Sequence, residues 1–477
     1  MIYNLMHYYM FLFAISPFSL WAQNKTIELS LEQSFSLLQH KNKSLKIAEK
    51  AVEQAKNEHQ KLNAFWYPSL NVTGAFVHLS NPIEVHQSLS QFTDPAQDYI
   101  HSLFPNEQII SSLLEQLGQK TLVLPLFSQN ITSVDANLVW PLFTGGKRMS
   151  ASKIGKQLVA AAEVNQEQVG ANQQTVLIES YFAVRLGQRI VEVKEATYTS
   201  LSIHYTQAVK LEQQGLINRA ECLVAQVSME EAKRELESAQ KELEVANHIL
   251  KSLINVEEEL GVNPTTSLFI NESIPSVNYF KDIIPFSNYI INQLKIQESI
   301  TQEQLKIGRS RYFPNIAFVG KQTLYANGLD KYLVPRTMIG VAFTWNLFDG
   351  LEREKSIRQA RLAGQTLLLE KDKVTTDLLV SVDKFYTQIQ NAMDDVQALQ
   401  VTLEMSKELL RIRMKSFQEG MTTSSEVVDA EVMLSKVKTA FLLAYFQYDV
   451  ALANLLSICG IPEVFLQYCK EGKTDVL

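Results

Sequence analysis

The feature that most restricts this chain is a duplication. Trp140-Pro-Leu-Phe-Thr-Gly145 and Trp345-Asn-Leu-Phe-Asp-Gly350 lie 205 positions apart. The same spacing, without a gap, relates Gly215 to Gly420, Glu221 to Glu426, Ala225 to Ala430 and Lys233 to Lys438. Upstream, Tyr67-Pro68-Ser-Leu70 matches Phe313-Pro314-Asn-Ile316 at a spacing of 246, so the first copy carries about 41 extra residues, within roughly 80–129. Self-similarity of this kind means one structural unit built twice. Three ordinary domains, the prior from a length of 477 residues, are thereby displaced.

Each copy contains a long stretch without proline, from Leu142 to Asn263 and from Arg336 to Ile461, rich in Ala, Glu, Gln, Lys and Leu. Proline breaks helix interiors and those residues favour them, so long helices are expected. In the second stretch Leu378, Val382, Phe385, Ile389, Ala392, Val396, Leu399 and Leu403 alternate spacings of four and three, a coiled-coil seam. One glycine interrupts each stretch, Gly215 and Gly420, followed by Asn218 with Glu221 and by Thr423 with Glu426. Glycine suits a helix C-terminus, and the cap-to-carboxylate spacing predicts a capping box at the next helix start. Helix, tight turn, helix is the reading, and a helix from Ser152 to Gln213 has a length of ~90 Å.

Between the helices the period changes to two. Val134, Ala136, Leu138 and Trp140 alternate with Asp135 and Asn137, and Ile339, Val341, Phe343, Trp345 and Leu347 with Gly340, Ala342, Thr344 and Asn346. Such alternation predicts strands with lipid on one face and water on the other. Partner strands are expected over 70–79 and 316–325, alternating less cleanly because of His78 and Lys321. Trp66, Tyr67, Trp140, Tyr312, Phe313 and Trp345 fall at the helix-proximal strand ends, as an interfacial aromatic girdle does. Four strands cannot close a barrel and open edges are excluded from hydrocarbon, so a membrane role requires several copies. The alternative is a pair of edge hairpins in a soluble coiled-coil adaptor or scaffold.

Residues 1–22 read as a secretory signal peptide, apolar over 8–15 and broken at Pro17. Beyond it no apolar run approaches the ~20 residues of a spanning helix. A net charge of −7 without a Lys/Arg block excludes a general nucleic-acid binder. The three cysteines have no C-x-x-C spacing, so neither a metal site nor a disulfide framework is signalled. Gly145-Gly-Lys147 lacks the upstream glycine of a P-loop and has Arg148 where Ser or Thr is needed. Neither H-E-x-x-H nor G-x-S-x-G occurs. A non-enzyme without cofactor is expected.

The duplicated strand-to-helix hinge, with Pro141, Gly145, Gly146 and Gly350, and the paired tips, Gln214 to Glu221 and Glu419 to Ala430, resemble the outer-membrane efflux protein (TolC-like) family over about 29–462. The resemblance implies a mainly helical fold with a small β part. It implies a homotrimer in which four strands per chain make a twelve-stranded barrel in outer-membrane lipid, continuous with a trimeric α-barrel crossing the periplasm of a Gram-negative bacterium. Implied partners are a periplasmic adaptor and an inner-membrane transporter. The expected organisation is a first repeat over 23–260, with a long outward loop at about 80–130 and a tip near 215. An equatorial segment follows over 261–290, then a second repeat over 291–460 with a tip near 420, and an equatorial tail over 461–477.

In the family two acidic residues three apart after the second tip ring the periplasmic constriction. They map onto Glu426 and Asp429, which at i and i+3 share a helix face. Glu426 has a capping role as an equal alternative. Asp429 has no cap to make, its repeat mate is Val224, and its alternative is a plain solvated surface. The family's closed-state lock, a Tyr and an Arg reaching an acid on the first tip, keeps only the acid, as Glu221, because the other positions are Phe417 and Thr422. Arg219 is the expected substitute, pairing with Glu426 or Asp429. Two cargoes stay open: small molecules in tripartite efflux, or protein in a type I secretion system.

Overall fold

The computed structural model describes residues 26–475 apart from 107, 128, 258–259 and 328–334. The signal peptide expected over 1–22 lies outside the described residues. The first copy runs β1 (Thr26–Leu29), α1 (Leu31–Lys41), α2 (Lys43–Asn63) and β2 (Ser69–His78). Then come β3 (Ile83–Ser88), α3 (Ser90–Leu103), α4 (Gln108–Gly118), β4 (Thr121–Phe127), β5 (Asn130–Thr144), α5 (Lys147–Gln213) and α6 (Arg219–Ile254). After β6 (Gly261–Pro264), β7 (Phe269–Ile270) and α7 (Val277–Ser287), the second copy continues with α8 (Tyr289–Ser310), β8 (Asn315–Ala326) and β9 (Thr337–Thr344). It ends with α9 (Glu352–Gln418), α10 (Ser424–Ile458), α11 (Phe465–Glu471) and β10 (Lys473–Thr474). The duplicated helices α5 and α9 are both 67 residues long.

The chain divides into two compact units. One gathers the segment up to Ala48 with Gln166–Ile291 and Val374–Leu477, and its core is aromatic. Phe269 stacks on Phe465 at 5.6 Å and on Tyr448 at 5.9 Å, and Phe182 meets both phenylalanines. Buried tyrosine hydroxyls need partners. Tyr181 donates to Leu29 O at 2.7 Å and accepts from the Thr265 and Thr266 N–H groups, while Tyr448 donates to Asn271 O at 2.9 Å. These bonds fasten short strands that carry little ladder of their own: β1 pairs parallel with β6, and β10 antiparallel with β7. The heptad seam behaves as its period predicts, with Leu378, Val382, Ile389, Ala392 and Leu403 buried. α10 corrects the reading of the apolar runs. Part of it is apolar and long enough for a membrane span, but Phe441, Leu442, Leu452, Leu455 and Leu456 are buried in this core. Near them Asp449 is fully buried, and burial pushes its carboxyl well above the usual range.

The other unit, Glu49–Asn165 with Asn292–Lys373, holds a four-stranded antiparallel sheet of order β2-β5-β8-β9. Both predicted hairpins form, and β5 pairs with β8 to join them. β5 runs through Pro141 to Thr144, and the ladder absorbs the missing N–H as an irregularity between Pro141 and Phe143. The segment expected as a long outward loop at 80–130 contains the β3–β4 ladder and the helix pair α3–α4. Helices pack closely where side chains are small, α2 on α5 at Gly155 and α8 on α9 at Gly308 and Gly364.

Candidate functional sites: a two-faced sheet and paired helix tips

Antiparallel partners share a sheet face, so the register sorts the side chains. Leu70, Leu138, Gly320 and Ile339 form one row, and Trp140, Phe318 and Val341 another on the same face. Leu70, Val72, Phe76, Ile339, Val341 and Phe343 are all exposed there. The opposite face carries Asn71, Asn137 and Lys321 in one row and Thr73, Asp135 and Thr323 in the next. Lys321, a blemish in the sequence pattern, falls on this polar face and pairs with Asp135 at 2.9 Å. Thr323 donates to the same carboxylate at 2.7 Å, and Asn137 donates to Thr73 at 3.0 Å. His78 sits on the last rung of the β2–β5 ladder, 2.7 Å from Asn130.

At the helix-proximal end the two copies build the same clamp. Trp140 Nε1 donates to Trp66 O at 3.0 Å, and Trp345 Nε1 to Tyr312 O at 3.1 Å. The Arg148 guanidinium lies over the Trp66 ring at 4.4 Å and donates to Phe65 O and Leu142 O. Arg353, its repeat mate, lies over Tyr312 at 4.8 Å and donates to Asn346 O and Leu347 O, with Asp349 beside it at 3.1 Å. Arg353 was not singled out from the sequence, although the spacing of 205 from Arg148 identifies it. Tyr67 and Phe313 are exposed beside the clamps. Gly145 and Gly350 take φ of +59° and +67°; Leu351, mate of Gly146, takes +68°, a region that suits glycine better.

The two tips share one backbone. Gly215 and Gly420 both have φ +72°, and each follows the same pair of turn bonds, Gly215 N–H to Glu212 O with Leu216 N–H to Leu211 O, and Gly420 N–H to Phe417 O with Met421 N–H to Ser416 O. Asn218 and Thr423 cap the next helices through the N–H groups of Glu221 and Glu426. At the first tip the returning half of the predicted capping box is replaced, because the Glu221 carboxylate has another partner. At the second, Thr422, Arg413 and the Thr423 backbone together hold the Glu426 carboxylate below its ordinary range. Glu221 accepts from the Ser424 N–H of the second hairpin at 2.6 Å, where the helix N-terminus favours a negative charge. Glu426 is ion-paired with Arg413, another residue the sequence reading missed. Within the chain Arg219 pairs with Glu212 of its own hairpin at 3.2 Å, a partner other than the expected Glu426 or Asp429.

Phe417 is buried with Ala208, Ala225 and Val427, its ring edge-on to His204 at 4.5 Å. His204 is buried too, with Nε2 2.7 Å from the Ser424 hydroxyl. Burial lowers its pKa to about 4 against the pull of Glu221, so the imidazole is neutral at pH 7. One helical turn away Ser200 donates to the buried Glu431 at 2.6 Å, whose carboxyl burial raises. Thr422 is partly buried, and Asp429 is exposed. Leu216 and Met421, repeat mates at the two apices, are 67% and 69% exposed.

The comparisons agree with this geometry. The chain resembles the solved structure of CusC at 17% identity, with a TM-score of 0.71 over 90% of this chain and 92% of that one. It resembles the outer membrane protein VceC of Vibrio cholerae at 15% identity, with a TM-score of 0.69 over 90% and 96%. A curated relative, the alkaline protease secretion protein AprF of Pseudomonas aeruginosa, is 20% identical over 312 residues, which are 64% of this chain and 65% of that protein. The chain thus spans just under two thirds of that relative's length. The model of the outer membrane efflux protein family matches residues 35–256 and 288–461, covering both repeats. On these grounds the chain belongs to the outer membrane efflux protein family.

Proposed function

We propose that this chain is the outer-membrane exit duct of a tripartite efflux system. Three copies close a twelve-stranded barrel in the outer membrane, and their long helices form a second barrel in the periplasm. The observation that carries the reading is the sheet: four strands, two open edges, an exposed apolar face and a polar face holding the Asp135–Lys321 pair. Edges left open in lipid cost several kcal/mol per unpaired group, so only closure with further copies satisfies them. Segments 261–290 and 461–477 form the equatorial band, as the pairing of β7 with β10 supports. The exposed Leu216 and Met421 at the tips suit docking of a periplasmic adaptor, which hands on cargo from an inner-membrane transporter.

In this duct Asp429 supplies the acidic ring at the periplasmic gate. Glu426 contributes once its bond to Arg413 is released, and Glu221 on the Ser424 N–H stands in for the family's lock. Detergent-extracted protein in a planar bilayer is expected to conduct, with cation preference falling when Asp429→Ala and Glu426→Ala are combined. A silent bilayer refutes the duct. Unchanged selectivity refutes the ring. The likeness to AprF favours protein as a second cargo. The transporter that co-purifies with the chain decides between them.

A further inference from the structure

We propose that the inserted helix pair α3–α4 of each copy packs against the same pair of its neighbours, forming an apolar cap over the outer mouth of the barrel. The proposal rests on the trimeric duct reading. Its starting observation is that the helix pair is inside out. The residues it buries are Thr93 and Gly118, which touch where the helices cross. Most of the large side chains face away: Phe92, Tyr99 and Leu103 on α3, and Ile109, Leu113 and Leu117 on α4, are exposed, while Ile100 and Leu114 are half-buried. At spacings of seven and four on α3, and of four and four on α4, each set forms one continuous stripe. Apolar stripes of this extent mark a surface that a partner covers.

The partner follows from where the insert is attached. β3 and β4 prolong the β2–β5 hairpin across a short break bridged by Leu79 N–H to Gln129 O at 2.7 Å. The insert therefore leaves the sheet at the end opposite Trp66 and Trp140. It grows from β2, an edge strand whose free side must pair with another copy for the sheet to sit in lipid. Strands pair at about 4.8 Å, so a neighbouring copy stands directly beside the root of each insert. Charge disfavours a lipid surface instead. The described insert carries Glu84, Asp94, Asp98 and Glu115 against Lys120, and acidic elements are not drawn to anionic headgroups. α3 and α4, at 14 and 11 residues, are also too short to span a bilayer.

The test is single-channel conductance of the full chain beside a Leu113→Asp, Leu117→Asp double variant. The cap predicts at least a twofold higher mean conductance in the variant. Equal conductance in two working channels overturns the cap and leaves the duct intact. A bilayer silent with both proteins removes the duct, and the cap with it. Should the aspartates prevent assembly, Leu113→Cys replaces them. Oxidised in intact outer membranes, it is expected to yield a covalent dimer that reductant dissolves, and monomer alone overturns the proposal.

Discussion

The two strand-to-helix hinges and the two helix tips descend from one duplication, yet they have kept different things. At the hinges the side-chain chemistry is the same twice: an arginine over an aromatic ring, forked onto two backbone carbonyls, beside a tryptophan bonded to the preceding segment. At the tips the turn and its cap are the same, but most of the side chains around them are not. Phe417 corresponds to Glu212, His204 to Leu409, Arg413 to Ala208 and Asp429 to Val224. The difference has a physical reading. Both hinges make the same passage from a two-faced strand to a helix, so one solution serves twice. The tips pack on each other, so the turn is retained while the two sides of their contact carry complementary side chains.

Breaking that comparison begins with the largest expected losses. Phe417→Ala empties the core of the tips and is expected to cost about 3–5 kcal/mol locally. Glu212→Ala at the repeat mate removes an ion pair whose arginine is exposed and whose carboxylate is half-buried, and is expected to cost less than about 1 kcal/mol. Amide hydrogen exchange over the tip helices measures both, and similar losses contradict the asymmetry. At the hinges the ranking is set by burial. Arg353→Met strands the buried Asp349 and is expected to cost about 3–5 kcal/mol. Arg148→Met loses two hydrogen bonds and a ring contact without orphaning an acid, and thermal denaturation is expected to show the smaller loss.

Acid sharpens the contrast between the tips. The folded chain holds His204 at about 4, below its ordinary 6.5, because burial disfavours the imidazolium. Its contribution to stability is present above pH 6.5 and is lost as pH falls from there towards 4. Protection of the tip amides is therefore expected to fall by about tenfold between pH 7 and pH 5. His204→Leu, which installs the residue of the other copy, is expected to flatten that dependence. Glu431 opposes it, since a raised carboxyl loses its contribution as pH rises. The smallest effects test the shared backbone: Gly215→Ala and Gly420→Ala are each expected to cost about 1 kcal/mol, equally, because both glycines have φ +72° and open space around them.

What the sequence revealed follows the range of each signal. The repeat, the long helices, the tip glycines, the heptad seam and the strand faces all rest on local period or on a fixed spacing, and the structure contains each of them. Contacts set by tertiary packing were not readable. Glu221 has the spacing of a capping box, but its carboxylate goes to an N–H on another helix, and Glu426 adds Arg413 across the turn to its cap. β1 has four residues and exists because β6 pairs with it. α3 and α4 were hidden because most of their apolar residues face outward and Pro95 interrupts the first. Arg353 alone was readable and missed, one spacing of 205 from a residue already in view.

The central claim is that one face of the sheet meets lipid and the other meets water. Cysteine substitution along β9, read with a membrane-impermeant thiol reagent on the assembled protein in its membrane, tests it most directly. Cys222 and Cys459 are buried and Cys469 partly so, and the unsubstituted chain supplies the background. Cysteines at Gly340 and Ala342 are expected to react, and those at Ile339, Val341 and Phe343 to stay silent. Equal labelling at all five positions would contradict the account, because a sheet with water on both faces lines no channel.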